Sequence, residues 1–503
     1  MKRLINNSLL CFFVLFILAG CSETGISYYL DATYGNDSSS GKSEANAWKN
    51  LSRLQNVKLN PGDRILLKRG ETFTGELEIS RQGTPANRIY VEAYGEGNKP
   101  CIVGNDNSLY AVRIFNSDYV VFRNIEIVNT GRERKPFRTG LKIECTNYGV
   151  SHNIMVDGVD IRDVNGSLVK EEGGGSGILI VNGGKDIVSV FDSLTIQNCH
   201  ILRCSRNAMI WSAYSDRQNW HPSKHTVIRN NLIEEVPGDG IVPIGCDSTL
   251  IEYNVMKNCP AILPDTEAAA GIWPWSCDNT LIRFNEVSDH KAPWDAQGFD
   301  SDWNCTNTVI EYNYSHNNEG GMVLICNSGE ASGSFNIGNQ GTIVRYNISI
   351  KDAIRTRTTR VGMFSPNIHV AGPVKNTTIC NNIIHVNKKP GEKVDRSMIT
   401  FDSWGGYSDS TLVKDNIFYT PETTTFNFTE STNNTFDGNY YLGKFTIEPS
   451  DANARYSSAI YQKILDKDPD GFGGLSQLMD TIPIAGTQGV FVNEKAIRDF
   501  WQQ

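Results

Sequence analysis

Apolar residues recur along this chain in short clusters closed by polar turns, at a spacing no single helix or long strand would produce. Four segments align: "GIVPIGCDSTLIEYN", "GIWPWSCDNTLIRFN", "GFDSDWNCTNTVIEYN" and "GMVLICNSG". They start at Gly240, Gly271, Gly298 and Gly321, so 31, 27 and 23 residues apart. Each unit reads as glycine, short strand, cysteine and polar turn, and the first three continue into a second strand closed by Asn. The same rhythm sounds earlier in "GILIVNGGKDIVSVFDSLTIQNCHI" and later in "NTTICNNIIHV" and "STLVKDNIFY". Units this short cannot bury an apolar face alone, but stacked as coils they share one interior. The pattern predicts an all-β fold, a single-stranded β-solenoid.

Two files of residues follow from the alignment. Asn254, Asn285, Asn313 and Asn347 share a coil position and are expected as an Asn ladder at a turn where left-handed backbone is tolerated. Cys246, Cys277, Cys305 and Cys326 share another, give or take a residue, and are expected as buried thiols, with disulfides between coils left open. The chain holds 12 cysteines without a CxxC pair, which argues against a structural zinc site.

At this point the chain resembles the right-handed parallel β-helix proteins, the pectate-lyase-like class of carbohydrate-active enzymes. The N-terminal stretch "YYLDATYGNDSSSGKSEANAWKNLSRLQNVKLNPGDRILLKRGETFTGELEIS", followed by "GTPANRIYVEAYGEGNKPCIVG", is especially similar. The resemblance implies a β-helix over residues 27–440 with an N-terminal capping helix near Ala45–Leu59, and leaves 441–503 as a C-terminal capping region. In that region "SSAIYQKILDKDPDG" reads as helix and turn, and its run of Asp466, Asp468 and Asp470 is a plain acidic turn, since Gln477 stands where an EF-hand needs Glu. The class hosts lyases, hydrolases, epimerases and non-catalytic spikes, so activity must be argued from the site.

Strand alternation assigns the faces. Ile241, Ile272, Phe299 and Met322 point inward. Val242, Trp273, Asp300 and Val323 point outward, as do Ile244, Trp275, Asp302 and Ile325. Coils stack about 4.8 Å apart, so Trp273 is expected beside Asp300 and Trp275 beside Asp302, as an exposed outward patch. Tryptophan faces suit sugar rings, and paired carboxylates suit glycoside hydrolysis, in which like charges push one pKa upward to supply an acid. Asp300 and Asp302 are therefore the expected catalytic pair, with Glu319 a further candidate. Asp239, Glu267 and Asp295 are loop or pre-strand acids, any one of which could be the second carboxylate. The bland alternative for "DSDWN" is a solvated corner or a cation site. Trp211 and the loop Asn219–Lys224 are expected to wall the cleft, and His290, ahead of His316, to orient a carboxylate or bind a sugar hydroxyl. Arg355 and Arg357, in the basic run "KDAIRTRTTR", are expected to fork an acidic sugar.

These residues point to a glycoside hydrolase acting on an acidic polysaccharide or oligosaccharide. A polysaccharide lyase, with Asp300 and Asp302 as calcium ligands, is the runner-up, and a non-catalytic glycan-binding solenoid is a third reading. No cofactor is expected unless the lyase reading brings calcium. The net charge of −9 carries no basic stripe and argues against nucleic acid as partner, and a monomer is expected.

Residues 1–20 read as a signal peptide: Lys2 and Arg3, then "LLCFFVLFILAG", too short for a comfortable membrane span. "LAGC" resembles the bacterial lipobox, which implies lipidation of Cys21, an anchor linker over 21–26, and an outer-membrane location in a Gram-negative bacterium, on its periplasmic or cell-surface face. An ordinary cleaved signal is the alternative. The Cys21→Ala variant of the full chain is expected to lose both fatty-acid label and detergent-phase partitioning; retention of label in that variant would exclude the anchor.

Overall fold

The computed structural model describes residues 25–329, 335–360, 362–471 and 473–502. The apolar run and Cys21 lie outside the described residues, among which no helix is long and apolar enough to cross a membrane. The chain winds as a right-handed parallel β-helix whose wall is formed mainly by three long sheets, with shorter ones beside them. The first has 14 strands, from Ser27–Leu30 to Thr435–Asp437. The second runs along the coils from Thr72–Thr74 to Tyr440–Phe445. The third includes Thr139–Thr146, Ser176–Gly183, Asn207–Ser212, Phe299–Ser301, Val323–Cys326, Ile368–Ala371 and Ser397–Asp402. One coil shows the order: Leu250–Glu252 in the first sheet, Val255–Lys257 in the second, then Gly271 and Ile272 at the third before Leu281–Arg283 returns to the first.

The recurring glycine is a packing requirement. A Cβ on Gly271 would lie 2.3 Å from the carbonyl oxygen of Gly298 in the next coil, and one on Gly240 would lie 2.4 Å from that of Gly271. Side chains of the inward file, Ile241, Ile272, Phe299 and Val323, are fully buried.

Asparagine amides tie coil to coil. Asn313 donates from Nδ2 to Asn347 Oδ1 at 3.0 Å and to the Ile282 carbonyl at 2.9 Å, and accepts at Oδ1 from Asn285. The file begins at Asn231, passes through Asn254, Asn285, Asn347, Asn382 and Asn416, and ends with Asn439 on Asp451. The left-handed residue is not the asparagine, as expected from sequence, but its predecessor: Tyr253, Phe284, Tyr312 and Tyr346 have φ of 54°, 50°, 54° and 57°. The amide is needed for the ladder, so the turn falls one residue earlier. The rings there stack at 5.0, 5.2 and 5.1 Å, which offsets the backbone cost.

The cysteine file holds for three members. Cys246 donates its backbone N–H to Cys277 Sγ at 3.3 Å, and Cys305 follows one coil on, with its thiol on the Pro274 carbonyl at 3.4 Å. All three thiols are free and buried, and burial pushes those of Cys277 and Cys305 well above their ordinary range. Cys326 leaves the file, as described below.

The N-terminal segment is two 3₁₀ turns, Glu44–Asn46 and Leu51–Asn56, rather than one helix over Ala45–Leu59. Asp37 Oδ1 accepts the backbone N–H groups of Lys49 (2.8 Å) and Asn50 (3.0 Å), which withdraws them from a helical ladder. Trp48, Leu51 and Leu54 still enter the core. At the other terminus, α1 (Ala459–Lys467), a hairpin of Met479–Ile484 with Thr487–Val492, and α2 (Glu494–Trp501) cover a flank of the second sheet. Tyr461, Ile464, Phe491 and Ile497 pack there against Leu232, Val255, Ile348, Ile383 and Ile417.

Replacing Asn313 by Ala strands the Asn285 N–H inside the wall and takes one donor each from the Ile282 carbonyl and the Asn347 amide oxygen, the latter keeping only the backbone N–H of residue 313. The expected destabilisation is roughly 3 kcal/mol or more by denaturant unfolding; a loss of under about 0.5 kcal/mol would show that the amide file carries no stability.

Candidate active site

The third sheet presents two outward files that fix the site. One runs Val242, Trp273, Asp300, Leu324, His369, Thr400; the other runs Ile244, Trp275, Asp302, Cys326, Ala371, Asp402. The tryptophans stand beside the aspartates as the alternation predicts. One coil on, the register differs from expectation: Phe299 pairs with Val323, not Met322. The corner at Gly320–Gly321 carries one residue more, so Val323 and Ile325 turn inward while Leu324 and Cys326 flank the acids.

The patch is not exposed. Asp300 is 3% accessible and Trp273 6%, while Trp275 and Asp302 are half-buried. The Trp273 indole N–H donates to Asp239 Oδ1 at 3.1 Å, which also accepts the Ala270 N–H at 3.1 Å. Asp239 in turn pairs with Arg206, a fully buried guanidinium whose Nε donates to Glu267 at 3.0 Å. Asp239 and Glu267 are thus committed to Arg206 and hold the loop over the tryptophan.

Three carboxyl groups share the enclosure, each in a different setting. Burial first, then the charges of Asp295, Asp302 and Asp239, push Asp300 well above the carboxylate range, and its Oδ1 meets no donor among the described residues. Both features disfavour the charged form of Asp300, against a backbone hydrogen bond from Leu324 that favours it. Asp302 is also raised by burial, but its Oδ1 accepts the Trp303 N–H at 2.6 Å and the Cys326 thiol at 3.1 Å, and both favour its anion. Asp295 reaches the group from the loop before the strand. Burial, and then the charge of Asp302, push it up to about 6.

Asp295 and Ala296 both have positive φ, +57° and +63°. Two such residues in succession, neither of them glycine, store strain that the surroundings must hold. Arg355 holds it. Its buried guanidinium donates to the carbonyls of Pro293 (2.7 Å), Asp295 (3.0 Å) and Ala292 (3.3 Å). Ala296 N–H also donates to Ala269 O at 2.8 Å, and the Trp294 indole donates to Asp265 O at 3.1 Å. Beside Asp295 a cavity of about 110 Å³ is lined by Trp294, Gln297, Phe364, His369 and Trp404. His369 Nε2 lies 3.3 Å from Asp402 Oδ2 at its edge.

Several expected site residues stand elsewhere. Glu319 is buried behind the loop, accepting from Thr356 Oγ1 at 2.5 Å and 3.9 Å from Arg355. Arg355 is spent on carbonyls and cannot fork an acidic sugar. Arg357 donates to the Lys291 carbonyl at 3.0 Å and so braces the same loop. His290 is fully buried with Nε2 2.9 Å from the Gly238 carbonyl; burial drives it down to about 4, which favours the neutral ring, and it hydrogen-bonds no carboxylate among the described residues. His316 sits 3.1 Å from Glu286 on another sheet. Trp211 is buried beside Ile180, because alternation along Asn207–Ser212 sends Ile210 outward instead; it borders a cavity on that wall away from the acids. The loop Asn219–Lys224 packs on the turn after Trp275: the Trp220 indole donates to the Ser276 carbonyl at 2.9 Å, with Arg217 packed over its ring at 3.9 Å. Asp295, His369, Asp402 and Trp404 escaped the repeat because loops and later coils deliver them. Asp295, already expected as one of the possible second carboxylates, stands in the acid-rich run "WDAQGFDSDW".

The family described as "Right handed beta helix region" matches residues 176–349. The chain is similar to a lacto-N-biosidase of Bifidobacterium longum subsp. longum, 25% identical over 87% of this chain and 32% of that protein; it thus spans about a third of that relative's length. Among solved structures it is similar to the GH136 lacto-N-biosidase from Eubacterium ramulus, with a TM-score of 0.59 and 25% identity, covering 78% of this chain and 67% of that one. The selenomethionine derivative of that enzyme matches at a TM-score of 0.58 with 23% identity over the same shares.

Removing the guanidinium in Arg355→Met is expected to release the Asp295 loop, with hydrogen exchange at the Ala296 and Gly320 amides at least about tenfold faster while the β-helix circular dichroism is kept. Unchanged exchange there would mean that the loop is held by other contacts.

Proposed function

We propose that the protein is a glycoside hydrolase in which Asp295 donates a proton to the leaving oxygen and Asp302 acts as the ionised partner, base or nucleophile. One observation carries this reading: two carboxyl groups that feel each other's charge are both raised by burial, but Asp302 has donors that favour its anion. Asp295 is raised to about 6 and so is available as an acid, while Asp302 has two donors that favour its anion. Divergent settings of this kind assign acid and base roles in carbohydrate hydrolysis. Asp300, bet on from sequence, becomes the buried neutral group behind them. It shapes the site without touching the reacting atoms.

The similarity to lacto-N-biosidases supports a glycosidic bond as the target and makes a lacto-N-bioside the first substrate to test. The acidic-glycan expectation loses its reason once Arg355 and Arg357 are committed to backbone carbonyls. The lyase reading loses the same arginines, and His290 is sealed away from the site. Anchoring through Cys21 stays part of the proposal, supported by the N-terminal sequence, and would hold the enzyme where extracellular glycans are met.

Activity is to be measured on an aryl lacto-N-bioside and on a panel of neutral and acidic glycans, by release of reducing ends. Asp295→Asn and Asp302→Asn should each lose about 10²–10⁴-fold in turnover with folding intact, whereas Asp300→Asn, which keeps a neutral isostere, should stay within about tenfold of wild type. Because Asp295 must be protonated to act, kcat/KM should fall as pH rises through about 6. Near-wild-type turnover in Asp295→Asn and Asp302→Asn would overturn the assignment; ultraviolet-absorbing unsaturated products would replace it with a lyase.

A further inference from the structure

Upstream of the acids, the same outward file continues. Lys142, Leu179 and Ile210 pair in sequence, and Ile210 leads through Val242 to Trp273 and Asp300. Over this stretch lies a cavity of about 470 Å³, lined among others by Tyr110, Phe137, Lys170, Leu179 and Ile210. Its size is that of a ligand pocket. From Ile210 to Asp300 is three coils, roughly 14 Å at the usual strand spacing. That exceeds one sugar ring, so a ligand in the cavity and a bond at the acids would belong to one extended chain.

Phe137 is the unusual residue here. It is 62% exposed, yet its backbone sits at φ +60°. The other tyrosine and phenylalanine residues in that conformation among the described residues, Tyr119, Tyr253, Phe284, Tyr312 and Tyr346, each stack on a neighbouring ring. Phe137 stacks on none among the described residues. It is pinned instead: its N–H donates to the Gly173 carbonyl at 2.8 Å, and its ring lies so close over Gly173 that a Cβ there would meet ring carbons at 2.5–2.6 Å. Gly173 itself has φ +90°, so a side chain is doubly excluded. A strained, fixed, exposed aromatic beside an apolar floor is a ready stacking platform. Lys170 joins the two regions, since it lines the cavity and sets its ammonium 5.8 Å from the Trp273 ring centroid.

We infer that this cavity is a distal subsite, which receives a pyranose ring of the same glycan chain on the face of Phe137 while the scissile bond lies at Asp295 and Asp302. This rests on the glycosidase reading above. The site would make the protein prefer long chains.

The probes are lacto-N-bioside-capped oligosaccharides from the disaccharide upward, measured for binding to the silenced Asp302→Asn protein and for turnover by wild type. Affinity should rise with chain length. Adding Phe137→Ala should weaken the longer chains about tenfold and leave the disaccharide unchanged, and Phe137→Trp should restore them. Loss independent of length, or no loss, overturns the subsite. If wild type hydrolyses none of the probes but Phe137→Ala still weakens the longer ones selectively, the subsite stands and the glycosidase reading falls. Hydrolysis without length dependence gives the reverse, and no binding at all overturns both.

Discussion

Side-chain amides stacked from Asn231 to Asn439 hold the coils of that stretch, which carries the acids, in register with one another. Each amide satisfies donors and acceptors on both sides of itself, in a wall where water cannot do so. A slip of one residue would leave several buried polar groups unpaired in every coil it touched. The strands they join are only a few residues long and could not fix register by themselves. The acid site depends on that constraint, because register decides which side chains form the outward files of the third sheet there.

Those files bring two tryptophans, two aspartates, a thiol and a histidine–aspartate pair together from segments more than a hundred residues apart in the chain. Register does not make the site by itself. Two buried arginines anchor the loops that enclose it: Arg206 ties down Asp239 and Glu267, and Arg355 is satisfied by three carbonyls of the Asp295 loop. A buried guanidinium with too few partners would be costly, so these loops are fixed as strictly as the coils. Enclosure then does the electrostatic work. With water excluded, the neighbouring carboxyl groups raise one another, and the small difference in donors between Asp302 and Asp295 becomes a difference in role.

The solenoid, its inward file and the pairing of Trp273 with Asp300 were legible in the sequence, because period-two alternation and the glycine spacing are local signals repeated many times. The site was legible only in part. A one-residue lengthening at Gly320–Gly321 moved Cys326 from the thiol file to the side of Asp302, and nothing in the alternation marks that shift. Arg355, Arg357 and His290 looked like ligand-binding groups since their types suit it; the loop carbonyls that take them up lie 52 to 66 residues away and could not be read from spacing. Asp295 shows the same limit from the other side. It was visible as a loop acid, but the positive-φ turn that aims it depends on Arg355, from a later coil.

The claim with most at stake is that Asp295 and Asp302 share one electrostatic enclosure. It is tested most directly by following the Asp295 carboxyl through a pH titration, by carbon NMR of labelled protein, in wild type and in Asp302→Asn. The account predicts a midpoint near 6 in wild type and a clear fall in the variant, since the charge that helps hold Asp295 up has been removed. An Asp295 that titrates in the ordinary aspartate range in wild type, or whose midpoint is indifferent to Asp302, would contradict it.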